Sequence, residues 1–167
     1  MKTKLLVTSL LLTSCAAPAY AVDTPISGSV QTRCLITTDT NGVYGNPLPS
    51  KLSTLAADGG VVPVVRYDVT LADAYLAKVT TPTSFSSSPA LVDSVAWTGS
   101  TTITNTTDVG MAGYEAAKVV YGATTQYDLT VAGSTWFSSE STAVYGVNKS
   151  FVGGNYTAIV LAECIAK

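Results

Sequence analysis

The sequence predicts an all-β protein, an antiparallel sandwich or barrel of Ig-like type. Three observations carry this. Two-residue alternation of apolar and polar side chains recurs along the chain, while amphipathic-helix spacing is scarce. Val, Ile, Thr and Tyr fill the alternating stretches. Glycine, proline and asparagine punctuate them at short intervals, which divides the chain into about eight strands.

The elements follow in order. "MKTK" is a basic start, "LLVTSLLLTSCAAP" an apolar run too short to span a bilayer, and "AYA" a small-residue cleavage site. Residues 1–21 therefore read as a secretory signal peptide of bacterial type, cut after Ala21. Leu12-Thr13-Ser14-Cys15 also fits a lipobox, in which Cys15 would carry the lipid. Residues 22–167 are expected to form a single domain. "ISGSVQTRCLITTD" alternates as a half-buried strand, with Ile26, Gly28, Val30, Thr32, Cys34 and Ile36 on one face. "TNGVYGNPLPS" reads as loop, "KLSTL" as a short strand and "DGG" as a turn. "VVPVVRYDVTLA" reads as a strand whose Pro63 points to an edge or bulge. "ADAYLAKVTTP" begins with helix formers and turns to strand. "TPTSFSSSPA" reads as polar loop, and "LVDSVAWTG" with "STTITNTT" as a hairpin across Thr98-Gly99. "MAGYEAAKVVYG" lies between helix and strand and ends as strand. "TTQYDLTVAG" places Tyr127, Leu129 and Val131 on one face, and "STAVYGVN" is a further strand.

The closing stretch "GGNYTAIVLAECIAK" is apolar on both faces apart from Thr157 and Glu163. Tyr156, Ala158, Val160, Ala162 and Cys164 share one face, and Ile159, Leu161 and Ile165 the other. A strand with one wet face does not look like this. Either it lies centrally in its sheet, or its outer face meets another subunit. Once Cys15 leaves with the leader, Cys34 and Cys164 are the two cysteines left. Export to an oxidising compartment favours a disulfide between them, the alternative being two buried thiols. Closing a loop of about 130 residues would stabilise the fold by about 4–5 kcal/mol through chain entropy.

The chemistry is restricted. The chain has no histidine, which removes the commonest general base and most transition-metal sites. It has no nucleophile elbow, P-loop or dinucleotide fingerprint. The expectation is a protein that is not an enzyme and takes no cofactor or metal. Asp39, Asn41 and Gly42 in "TTDTNG" resemble the start of a calcium loop without its closing glutamate, and an Asx turn is the simpler reading. Asn105, Asn148 and Asn155 open glycosylation triplets that a Ser/Thr-rich chain produces by chance. Trp97 and Trp136 could form a sugar platform, but core positions suit them better, with Trp97 pointing inward. Without the leader the chain carries seven basic against eleven acidic residues, a net charge of −4, which argues against a nucleic-acid partner.

Three stretches together resemble a family: "VDTPISGSVQTRC" after the leader, "DTNGVYGNPLPSKLS", and "GGNYTAIVLAEC" at the end. They are similar to the major pilins of the alternate chaperone–usher class, the CS1 or colonisation-factor type (alpha) fimbriae. The resemblance implies an incomplete Ig-like sandwich, completed by a strand donated from the next subunit. The donor would lie within residues 22–33, with Ile26, Gly28 and Val30 at its centre. Tyr156, Ile159, Val160 and Leu161 of the final strand would border the groove. The implied partners are further copies of the chain in a filament, a periplasmic chaperone and an outer-membrane usher, and a host or matrix glycan or protein. The implied location is the periplasm in transit, then the cell surface, in a role of adhesion or biofilm support. A second reading is a stand-alone secreted or lipid-anchored sandwich that binds a glycan or protein. A third is a small hydrolase with two carboxylates about 5–10 Å apart in a cleft.

Overall fold

The computed structural model describes Ser27 and Arg33 to Lys167. Residues 1–21, expected as a signal peptide with Cys15, and the expected donor positions Ile26, Gly28 and Val30 lie outside the described residues. The described chain is an all-β sandwich of two antiparallel sheets with ten strands. In order these are β1 (Cys34–Thr40), β2 (Gly45–Leu48), β3 (Lys51–Ser53), β4 (Val64–Val69) and β5 (Tyr75–Thr80). β6 (Val95–Thr106), a four-residue helix α1 (Tyr114–Ala117), β7 (Val119–Tyr121), β8 (Thr124–Leu129), β9 (Gly133–Tyr145) and β10 (Leu161–Ala166) follow.

β9 is the spine of the larger sheet. β6 runs along one of its edges for almost the whole length. β4 takes the first half of the other edge and β3 the end of it. β1 pairs outside β4, and β2 outside β3. The smaller sheet has the order β10-β5-β8-β7. Alternation turns Tyr67, Val69, Ala77, Val79, Tyr127, Leu129 and Phe137 into a common core between the sheets. Each large side chain buried there contributes about 1.5–3 kcal/mol.

Two tyrosines tie the sheets in opposite directions. Tyr67 of β4 reaches across so that its hydroxyl lies 2.9 Å from Lys78 O and 3.1 Å from Glu163 O. Tyr127 of β8 reaches back and donates to Thr101 O at 2.9 Å. Phe137 packs against both rings, at 5.2 and 4.6 Å between centroids. The far end of the larger sheet is covered by loops instead. There Phe85, Phe151 and Tyr156 pack with Tyr44, Trp97 and Tyr145 in an aromatic cluster, with Phe85 and Trp97 4.7 Å apart.

Several sequence expectations change. The hairpin across Thr98-Gly99 is instead one continuous strand, β6. Its glycine serves close approach, because a Cβ there would sit 2.8 Å from both Glu140 O and Thr81 Cβ. Pro63 sits just before β4, which is internal between β1 and β9, so it marks no edge; the register of β1 does shift opposite the start of β4, between Thr38 and Thr40, as the bulge alternative expects. "GNPL", expected as loop, forms edge strand β2, where Pro47 is tolerated. Asp39 lies within β1 and not in an Asx turn. The final strand is an edge strand paired with β5 alone among the described residues, so it does not lie centrally in its sheet.

Candidate functional site

The disulfide between Cys34 and Cys164 joins the outermost strands of the two sheets, β1 and β10. Between them runs a seam, and the backbone pattern shows what faces it. On β1, the backbone bond from Thr70 N to Arg33 O fixes odd residues as the ones bonded toward β4. The N–H and C=O groups of Cys34, Ile36 and Thr38 therefore point into the seam. On β10, Lys167 N donates to Ala74 O, so odd residues bond toward β5. Thr157 pairs with Ser87 in the same alternation. The backbone groups of Ala158, Val160, Ala162 and Cys164 thus face the seam from the other side. No backbone hydrogen bond links β1 to β10 among the described residues.

The seam is not uniform along its length. At Cys34 and Cys164 the Cα atoms are 6.4 Å apart, whereas face-to-face sheets stand about 10 Å apart. At the other end the seam widens into a cleft of about 420 Å³, lined by Val43, Tyr44, Leu52, Pro63, Tyr156 and Ala158 among others. That volume falls in the usual range for ligand clefts. Burial raises the Tyr44 hydroxyl pKa above its ordinary value, against the opposing effect of its 3.0 Å hydrogen bond with Ser141.

The four final-strand residues divide between two faces. Val160 packs against the core, and Tyr156 joins the aromatic cluster while its hydroxyl donates to Val152 O at 2.7 Å. Ile159 and Leu161 point away from the core and are 64% and 52% exposed. Leu35 on β1 is 48% exposed.

The opposite flank is built differently. β6 also has an edge without a strand partner among the described residues, but side chains cap it. Glu115 accepts from Ile103 N at 3.0 Å, and Lys118 donates to Thr101 O at 3.1 Å while pairing with Glu115. Capping of this kind blunts an edge against further strand pairing. Among the described residues no such cap covers the seam-facing edges of β1 and β10, which the disulfide joins.

The other sequence candidates are dispersed. Trp97 is half-buried in the aromatic cluster, outside the main core. Trp136 is on the outer face of the larger sheet, where Arg66 lies 5.7 Å over its ring and Asp39 accepts from its Nε1 at 3.2 Å. None of the clefts described is lined by two carboxylates. Sequence reasoning missed the Glu115–Lys118 cap and the tyrosine ties, whose partners are backbone groups from distant strands. Compared with known proteins, the chain matches no family model, no curated protein and no solved structure.

Proposed function

We propose that this chain is a structural subunit of an extracellular, fimbria-like filament, its copies joined by strand addition at the β1/β10 seam. One observation carries the reading: two sheet edges whose seam-facing backbone groups have no strand partner among the described residues face each other across a seam that is stapled at one end and open at the other. An extended segment added there would pair with backbone groups on both edges and cover Leu161. The segment preceding Arg33 is attached at the stapled end, and the cleft lies at the far end, past the roughly 20 Å length of β1 at strand rise. Donor and acceptor at opposite ends make a head-to-tail contact, which propagates as a filament instead of closing as a dimer. The resemblance to CS1-type pilins points the same way. It adds export by the signal peptide, a periplasmic chaperone and an outer-membrane usher, and a role in adhesion or biofilm.

The test is direct. The mature chain is purified and viewed by negative-stain microscopy, beside a variant lacking residues 22–30. The expected result is filaments from the first and folded, unassembled subunits from the second. Normal filaments from the deletion variant would overturn the reading.

The cleft beside Tyr44 and Tyr156 also favours a second reading, a stand-alone sandwich that binds a glycan or short peptide at that end. It predicts ligand binding by unassembled subunits and no filaments.

A further inference from the structure

We propose that the Cys34–Cys164 disulfide is a stop that sets how far an incoming strand enters the seam. The seam then takes three inward side chains, those of Ile26, Gly28 and Val30 from a second copy. This inference rests on the filament reading above and adds a register to it.

The stop follows from spacing. Neighbouring strands in a ladder lie about 4.8 Å apart, so a strand paired with both β1 and β10 needs those edges about 9.6 Å apart. At the staple the Cα atoms are 6.4 Å apart. A strand paired with one edge alone fares no better at that level. Cys34 and Cys164 both turn toward the core, so their sulfurs occupy the layer its inward side chain would need. Entry therefore proceeds from the cleft end and halts one level short of the staple, beside Ala162 and Ile36.

Between cleft and staple, β10 and its extended entry offer three levels that face the seam: Ala158, Val160 and Ala162. Inward positions on a strand recur every second residue, so three levels take a segment whose inward residues span four residue steps. Ile26, Gly28 and Val30 span four steps on one face. The same alternation places polar Thr24 before them and polar Thr32 after them, so the apolar set has the length of the available seam. Pro25, which has no N–H to give to a ladder, bounds the pairing at the leading end.

Hydrogen exchange on filaments tests this, comparing the intact chain with a C34A/C164A variant and with each chain before assembly. In intact filaments the amides of Ala158, Val160 and Ala162 should slow by about 100-fold or more, with Cys164 unchanged. In filaments of the variant, the amide at position 164 should slow as well. Slowing at Cys164 in intact filaments, or no change at position 164 in variant filaments, would overturn the stop while leaving strand addition standing. If the variant does not assemble, the intact filament alone decides: a slowed Cys164 amide refutes the stop, and an unchanged one beside a slowed Ala162 supports it. No slowing at residues 158–162 in intact filaments refutes strand addition itself, and the stop with it.

Discussion

Alkaline pH should loosen this sandwich through its two tyrosine ties. Tyr67 and Tyr127 are fully buried, and burial raises both hydroxyl pKa values well above the ordinary 10.0, with the Glu115 charge adding to the effect on Tyr127. In the unfolded chain both ionise near pH 10. Above that pH the folded state holds two protons the unfolded state has released. The stabilisation is therefore complete below pH 10 and is lost as pH rises toward the folded-state values. Each tyrosine contributes a slope of about 1.4 kcal/mol per pH unit, about 2.7 for the pair. From about pH 10 to about pH 11.5 the loss reaches about 3–4 kcal/mol, a large part of the 5–15 kcal/mol typical of a domain. Urea unfolding across this range reads the slope, and ultraviolet absorbance of tyrosinate counts the rings that resist ionisation. Tyr67→Phe should remove about 1.4 kcal/mol per pH unit from the slope. A stability that stays flat through pH 11, or folded protein whose tyrosines all ionise with a midpoint near 10, would refute the account of two buried, proton-donating ties.

Three further outcomes are expected. Replacing Cys34 and Cys164 by alanine should cost about 5 kcal/mol on chain entropy and lower the melting temperature by about 10–20 °C in calorimetry, given the sequence separation of 130 residues. Gly45→Ala would place a Cβ 2.1 Å from Asp58 O, so the β2 edge must shift, and chemical denaturation should show a loss of about 2–4 kcal/mol. Glu115→Ala removes the acceptor of Ile103 N and the partner of Lys118; a loss of about 1–3 kcal/mol is expected, together with faster amide exchange at Ile103.

Much of the fold is legible in local pattern. The alternation of Tyr127 and Leu129 marks their core face, and the cysteine count points to the staple. What escaped was information held in distant neighbours. Gly99 reads as a turn until Thr81 and Glu140 O are seen to press against it from elsewhere in the chain. The serine-rich first half of β9 shows weak apolar alternation, because β4 and β6 flank it on both edges and supply its pairing. The two apolar faces of the closing strand are plain in the sequence, but they carry no mark of its place in the sheet. That place at an edge is set by β5, and with it the seam. The tyrosine ties leave no local signal, since their acceptors are carbonyl groups that every residue has.

The staple also determines how the subunit bears load. Tension applied at Arg33 and at Lys167 passes from Cys34 straight to Cys164 through a covalent bond, and the chain between them is left out of the force path. Without that bond, pulling the same two points could unravel a span of 130 residues and release about 450 Å of slack. With it, the slack is limited to the few residues outside the loop. Under tension a fibre of such subunits would stretch little, whatever the thermodynamic stability of each sandwich.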